Sequence, residues 1–223
     1  MYSFVGGLEA VRQALPYLFI GAVITVKLSF LAMALGLTLG LVTALCRLSR
    51  IRLVRRVAAA YVQLIRGTPL LVQLFMVYYG LPQFGIRLEP FTAATLGLGI
   101  NYGAYLAEVY RAGILSIDRG QWEAGYAMNM SWRVLMFVII LPQAVRVILP
   151  PVGNYFISML KDTSLAGVVA VTELLREGQI KVAETFRAFE IYGTVAIIYL
   201  LMSYPLGLAT EELERRTSKS VAT

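Results

Sequence analysis

Long apolar stretches recur along this chain, and the clearest of them runs from Leu28 to Cys46 without a charged residue. A helix rises about 1.5 Å per residue, so roughly 20 apolar residues cross the hydrocarbon core of a bilayer. Four other stretches approach this length. We therefore predict an all-α integral membrane protein with a single transmembrane domain over residues 1–223. The five predicted spans lie near residues 28–46, 68–84, 91–110, 147–160 and 191–210.

The composition supports this prediction and removes several classes of function. Hydrophobic residues make up 58% of the chain and charged residues 15%, against about 25% charged in an ordinary soluble domain. The sequence has no histidine, and its one cysteine is Cys46. We therefore expect neither a metal site nor a Ser-His-Asp triad. The net charge of +7 is interpreted as membrane topology, with no nucleic-acid partner.

The distribution of basic residues predicts the orientation of the chain. Lys and Arg close to span ends tend to remain in the cytoplasm. The loop after the first predicted span is rich in arginine: Arg47, Arg50, Arg52, Arg55 and Arg56. We therefore expect the N-terminus outside and the C-terminus in the cytoplasm.

Two charged positions near span ends have structural interpretations. Glu108 and Arg111 are one helical turn apart, so we expect them to form an ion pair. Arg66 stands beside Gly67 and Pro69, and we expect it to anchor a break in the second span.

A polar stretch over residues 116–133, between the third and fourth predicted spans, is too long for a simple connector. Asp118 can cap a short helix. Trp122, Tyr126 and Met130 then recur at i+4 spacing and would form one apolar face. Such a face could bind a protein partner or lie on membrane lipid, and periodicity does not separate these two possibilities.

The fourth span is predicted to be short, because Pro142, Arg146, Pro150 and Pro151 break the first half of the apolar stretch between Arg133 and Lys161. The apolar stretch that follows, residues 164–175, is too short to cross a bilayer and predicts a half-membrane helix. The residues Asp162, Thr163 and Ser164 would cap its start, where free N–H groups could bind an anionic ligand group.

A partly polar stripe on the fourth span is a candidate substrate pathway. It comprises Tyr155, Ser158, Met159 and Asp162, at spacings that share one helix face. Asp162 could bind the ammonium group of a zwitterion beside the proposed half-helix start. Alternatively, Asp162 only caps that helix and pairs with Lys161.

No G-x-x-x-x-G-K-[ST] sequence occurs in the chain, so we expect any ATP to be bound by another protein. No internal inverted repeat is visible either. Its absence argues modestly against a self-contained secondary transporter.

The loop over residues 116–131, followed by Ile140–Pro142, resembles the EAA loop of permease subunits of ATP-binding-cassette importers. Further blocks are similar to the branch of that family that handles polar amino acids, and the resemblance covers roughly Thr25 to Arg216. These blocks are Arg66–Gln73, Ala104–Glu108, Gly113–Ile117, Gln143–Ala144 and Lys161–Leu165. Two positions depart from the family pattern: the usual Glu-Ala-Ala ends in Gly125, and Asn129 replaces a glycine.

The resemblance implies a type I importer permease fold, with five spans, a cytoplasmic coupling helix and a half-membrane helix. It assigns coupling to an ATPase subunit to one set of loop residues: Gln121, Trp122, Glu123, Ala124, Gly125, Asn129 and Met130. ATP and Mg²⁺ would be bound by that subunit, and this chain would need no cofactor. The other implied partners are a second permease subunit, identical or related, and an external solute-binding protein. The expected location is the inner membrane of a prokaryote.

The resemblance also implies a limit on the substrate. In permeases for basic amino acids, acidic residues occupy the position that follows Asn154 here, whereas this chain has Tyr155. We therefore predict that strongly cationic amino acids are disfavoured. Two other functions compete with the importer. An autonomous ion-coupled transporter or channel would work without an ATPase, and a membrane-bound enzyme would need catalytic residues on adjacent spans.

Overall fold

The computed structural model describes residues 4–219, which form helices and connecting segments without a β-strand. The helices are α1 (Phe4–Leu48), α2 (Arg52–Arg66), α3 (Leu70–Phe75), α4 (Pro90–Leu115), α5 (Arg119–Ala127), α6 (Trp132–Val134), α7 (Leu141–Asp162), α8 (Leu174–Thr185) and α9 (Ala188–Lys219). Two π-helical segments, Met76–Gly80 and Leu135–Ile140, extend α3 and join α6 to α7. Two 3-10 segments follow, Leu81–Phe84 after the first π segment and Thr163–Val169 after α7; the latter is called the strap below.

Three helical stretches of the described chain are long and apolar enough to cross a membrane: Gly6–Leu48, Trp132–Val169 and Ala188–Arg215. A fourth is added if α2 and the stretch Leu70–Phe84, which meet at 104°, count as one broken span. The central helix α4 is not among them, although it overlaps the predicted span 91–110. Gly, Asn and Tyr residues in its middle lower its apolar character, and most of these are buried against other helices.

The core forms where α1 and α4 run side by side in the same direction. Gly36 lies against Tyr102, and a Cβ atom added at Gly40 would stand 2.8 Å from the Cβ of Leu106. Small residues let two membrane helices approach closely. The resulting van der Waals contacts stabilise the pair, because lipid supplies no hydrophobic driving force for helix association. α7 packs on α4 from the other side and contributes the fully buried Met159 to the same core.

Two helices extend beyond the spans predicted within them. Helix α1, which contains the predicted span 28–46, begins at Phe4 and has 45 residues. The helix continues through Lys27, whose side chain is exposed on its surface. Its N-terminal half buries Ala14 and Leu18 against α8 and α9. Helix α9, which contains the predicted span 191–210, covers Ala188–Lys219.

Helix α7 also extends beyond the fourth predicted span, residues 147–160, because its prolines do not break the helix. The π segment Leu135–Ile140 precedes Pro142, and the amide of Leu141 bonds to the carbonyl of Met136, five residues back. Pro142 then falls in the first turn of α7, where a missing N–H costs little. Membrane helices tolerate internal prolines such as Pro150 and Pro151 when local π adjustments and neighbouring helices satisfy the freed groups.

The predicted half-membrane helix over residues 164–175 is not formed. The strap continues directly from α7, so no new helix N-terminus arises at Asp162, and this side chain makes no capping bond. The predicted anion site at that helix start is therefore wrong. The next helix start is Leu174, and the side chain of Glu173 caps it.

Candidate functional site

A polar cavity of about 500 Å³ opens between the α2–α3 bend, the middle of α4 and the end of α7. Its lining comprises Arg66, Gly67, Thr68, Pro69, Leu70, Asn101, Tyr102, Tyr105, Tyr155, Ser158 and Asp162. It is called the polar cavity below.

Asp162 lies on the α7 side of the polar cavity, at the level of the middle of α4. The hydroxyl of Tyr102 donates a hydrogen bond of 2.7 Å to its Oδ2. No cation of the described residues forms a salt bridge with this carboxylate, and Lys161 points into a different groove, lined mainly by α9. Lys161 is therefore not the partner of Asp162 that one sequence interpretation offered. The carboxylate retains acceptor capacity that a ligand cation could use.

Arg66 lies on the opposite side, at the last residue of α2. Its guanidinium stands over the ring of Tyr105, 5.1 Å from the ring centroid. The chain bends directly after Arg66. The side-chain amide of Gln73 stabilises the bend by donating to the carbonyls of Ile65 at 2.8 Å and Thr68 at 3.1 Å. The predicted helix break at Arg66 is thus present. Within the described chain Arg66 has no salt-bridge partner, so its donors can serve a ligand.

Three tyrosines form an aromatic wall between these charges. The ring of Tyr155 lies 5.7 Å from that of Tyr105 and 6.1 Å, edge-on, from that of Tyr102. Asn101 extends the polar edge of this wall and donates to Oε1 of Gln73 at 3.1 Å. The cavity therefore combines one cation, one carboxylate and an aromatic surface.

The predicted substrate stripe is only partly in the polar cavity. Tyr155, Ser158 and Asp162 line it, whereas Met159 is fully buried in the helix core. Sequence reasoning assigned no ligand role to Arg66, Asn101, Tyr102 or Tyr105. The available signal was that Arg66 and Tyr105 belong to the sequence blocks that carried the family resemblance.

The predicted short helix in the third loop is present as α5. Asp118 accepts a bond of 2.7 Å from the amide of Gly120 and caps it, as expected. At the other end, the amides of Met130 and Asn129 bond to the carbonyls of Gly125 and Tyr126, a Schellman motif. Asn129 has φ 55°, the left-handed conformation that the glycine of the family pattern would supply.

The side chains of α5 are not arranged as the periodicity predicted. Trp122 and Met130 pack inward against the cluster around Leu135, while Tyr126 is 54% exposed. The three therefore do not form one outward face. The exposed side of the loop contains Gln121, Glu123, Ala124, Tyr126 and Asn129. Gly125 is buried, and a Cβ atom there would collide with the side chain of Leu135. The packing of Leu135 therefore requires a glycine where the family pattern has the second alanine of Glu-Ala-Ala.

The C-terminal part of α4 carries the predicted pair of Glu108 and Arg111, with an Nε–Oε2 distance of 3.0 Å. The structure adds Arg47 of α1 as a second partner of Glu108. The carboxylate therefore ties the ends of α1 and α4 together and serves a structural role.

Comparison with known proteins agrees with this architecture. Residues 36–219 match the model of a family described as binding-protein-dependent transport system inner membrane component. The chain is 45% identical to the L-cystine transport system permease protein TcyB of Bacillus subtilis (strain 168), over 96% of this chain and 92% of that protein. It is 43% identical to the glutamine transport system permease protein GlnP of Escherichia coli (strain K12), over 93% and 96%.

Solved structures show the same similarity. A crystal structure of an amino acid ABC transporter with histidines superposes with a TM-score of 0.90 at 41% identity, over 97% of this chain and 99% of that chain. An inward-facing structure of the MetNI methionine ABC transporter has a TM-score of 0.66 at 20% identity and shows the shared fold.

Proposed function

This chain belongs to the binding-protein-dependent transport system inner membrane components, as a permease subunit of an ABC amino-acid importer, and we propose that its polar cavity binds the transported amino acid. The observation that carries the proposal is the placement of Arg66 and Asp162, without salt-bridge partners in the described chain, in one cavity of about 500 Å³. Cavities of roughly 300–1,000 Å³ suit small molecules.

The chemistry of an amino acid fits these two groups. A guanidinium binds a carboxylate with two parallel hydrogen bonds, so Arg66 would hold the α-carboxylate. Asp162 would accept from the α-ammonium, with Tyr102 fixing the orientation of the carboxylate. The side chain of the substrate would then lie along Tyr105 and Tyr155. Because the positive charge of Arg66 and the negative charge of Asp162 cancel, the cavity favours substrates whose net charge is zero.

Two named relatives support a neutral substrate. Their names describe transport of L-cystine and of glutamine. We propose that this chain likewise carries neutral polar amino acids and disfavours strongly cationic ones, since Tyr155 adds no second negative charge beside Asp162. The structure solved with histidines belongs to a relative at 41% identity and does not decide this chain's preference.

In this family the ATPase is a separate subunit, and a binding protein delivers the substrate. We propose that the exposed side of the coupling loop, with Gln121, Glu123, Ala124 and Asn129, contacts that ATPase, which binds ATP and Mg²⁺. The buried residues of the loop would instead hold α5 rigid against α4 and α7. Leu135 packs in one cluster with Ile114 of α4 and Ile148 of α7, so a displacement of α5 reaches the helix that carries Asp162.

The remaining parts of the proposal concern assembly and location. One chain supplies a single wall of a pathway, so two permease subunits, identical or related, would enclose it. The inner membrane would contain the pair, with lipid around the apolar faces, the N-termini outside and the C-termini in the cytoplasm. Under this orientation α5 faces the ATPase, and α8 lies on the outer side.

Proteoliposomes that contain the chain, its ATPase subunit and its binding protein test the proposal. We expect uptake of a labelled neutral amino acid only with ATP and the binding protein. Replacing residues 119–129 with a Gly-Ser sequence should abolish it. Uptake that is indifferent to ATP and to this replacement would indicate an autonomous transporter and overturn the proposal.

The role of the polar cavity has its own control in the same assay. Arg66→Gln should reduce uptake roughly tenfold, which corresponds to losing one charge-assisted contact. Arg55→Gln, an exposed position on the same helix α2, is the matched control and should leave uptake unchanged. Equal uptake by both variants would remove Arg66 from the substrate site.

A further inference from the structure

Glu173 is a fully buried carboxylate outside the polar cavity. Its two oxygens accept bonds of 2.8 Å from the amides of Leu175 and Arg176, so the side chain caps α8. No salt bridge reaches it from the described residues. A helix cap alone would be satisfied by Ser, Thr or Asn, without burying a full carboxylate. A buried glutamate at this position therefore indicates that its carboxylate has a further hydrogen-bond partner.

That partner is Tyr199 of α9, whose hydroxyl donates to Oε2 of Glu173 at 2.9 Å. The side chains of Thr25 of α1 and Thr163 of the strap lie near this hydroxyl. Thr25 in turn accepts from the amide of Leu174 at 3.2 Å. One buried node therefore connects α1, the strap, α8 and α9.

The strap also packs directly against the cap of α8. A Cβ atom added at Gly167 would stand 3.3 Å from Oε1 of Glu173 and 3.4 Å from the Cβ of Arg176. Even a Cβ atom would make a tight contact here, so Gly167 lets the two segments lie close together. The strap thus contacts the start of α8 at Gly167.

The strap also connects the buried node to the polar cavity. Thr163, its first residue, directly follows Asp162. A movement of α8 relative to α9 would therefore displace the peptide next to the carboxylate. Arg176, Gln179 and Glu184 of α8 are exposed and accessible to solvent or a partner.

We propose that Glu173 and Tyr199 are positioning residues that couple the outer helix α8 to the substrate carboxylate Asp162. The proposal rests on the proposed function, because it takes α8 as outward-facing and Asp162 as a substrate ligand. Docking of the loaded binding protein on the outer side then changes the position of Asp162 through this node. The hydroxyl of Tyr199 is central to this node, because it bonds to Glu173 and lies near both threonines.

The test measures ATP hydrolysis by the assembled importer in nanodiscs, with and without loaded binding protein. Tyr199→Phe removes only the shared hydroxyl and should lower the stimulation by the binding protein roughly tenfold, while unstimulated hydrolysis stays unchanged. Tyr204→Phe, an exposed tyrosine on the same helix, is the matched control and should behave as wild type. Hydrogen exchange of the strap amides should become faster in Tyr199→Phe only.

Three further variants keep the test decisive if Tyr199→Phe folds poorly. Thr163→Val removes a second hydroxyl of the node and should reproduce the loss of stimulation. Glu173→Gln keeps one acceptor oxygen, so it should retain more stimulation than Glu173→Ala. Normal stimulation in Tyr199→Phe, or a proportional fall of stimulated and unstimulated hydrolysis, would overturn the inference. Absence of any stimulation in the wild type would instead count against the proposed function.

Discussion

Arg66 and Asp162 terminate two helices that are far apart in the sequence, and both face the same polar cavity. The bend after Arg66 and the uninterrupted course of α7 bring them there. Tyr102 connects this arrangement to α4, because its hydroxyl bonds to Asp162. The pair gives the cavity the charges that complement a free amino acid.

The aromatic wall predicts how substrate preference can be changed. Tyr155→Glu places a second carboxylate beside Asp162, so cationic amino acids should compete better for uptake than they do in the wild type. Tyr155→Gln is the control without added charge. Competition assays against a labelled neutral amino acid measure the change, and a Tyr155→Glu variant with unchanged preference would show that this position does not select the substrate.

The coupling helix predicts different effects for two of its aromatic residues. Tyr126→Ala removes an exposed side chain, so it should weaken association with the ATPase subunit and leave thermal stability nearly unchanged. Trp122→Ala removes packing against the Leu135 cluster and should cost about 2–3 kcal/mol of stability. Co-purification and thermal unfolding separate the two. The reverse assignment would mean that Trp122, and not Tyr126, faces the ATPase subunit.

The packing of Gly125 predicts a compensating pair. Gly125→Ala restores the usual Glu-Ala-Ala, but its Cβ meets Leu135, so overpacking should destabilise the protein by about 1–3 kcal/mol. Adding Leu135→Ala should recover part of that loss, because the smaller side chain opens the space. Thermal unfolding of the two single variants and the double variant measures the coupling, and strictly additive effects would contradict the contact.

The turn after α5 predicts an effect that depends on backbone conformation. Asn129→Gly should be neutral or slightly stabilising, whereas Asn129→Val should cost about 1–2 kcal/mol, since a β-branched residue strongly disfavours positive φ. Ser131→Val, just beyond the turn, separates the conformational penalty from the general effect of a valine, although it also removes a weak cap. Equal melting temperatures for Asn129→Val and the wild type would show that the turn adopts another conformation.

Sequence reasoning succeeded where the signal is local. The cap at Asp118 and the ion pair of Glu108 with Arg111 each depend on a few neighbouring residues, and the structure confirms both. The family resemblance then added the function, which no local pattern contains.

Sequence reasoning failed where tertiary contacts decide. The spacing on the fourth span allowed both Ser158 and Met159 to join the stripe, and packing against α4 assigned Met159 to the core. The prolines of α7 predicted a break, but the π segment before Pro142 absorbs the first of them. The contribution of Arg66 to the polar cavity depends on a bend of 104° that brings α2 to α7, and sequence spacing does not encode that approach.

Direct binding of the transported amino acid to the permease and ATPase assembly, without binding protein, tests the central claim most directly. Equilibrium dialysis with the labelled amino acid should show saturable binding that weakens roughly tenfold or more in both Arg66→Gln and Asp162→Asn. The α-amide of the same amino acid, which lacks the carboxylate, should compete poorly against the wild type. Wild-type affinity in both variants would contradict the account, because the two charges of the polar cavity would then not recognise the substrate.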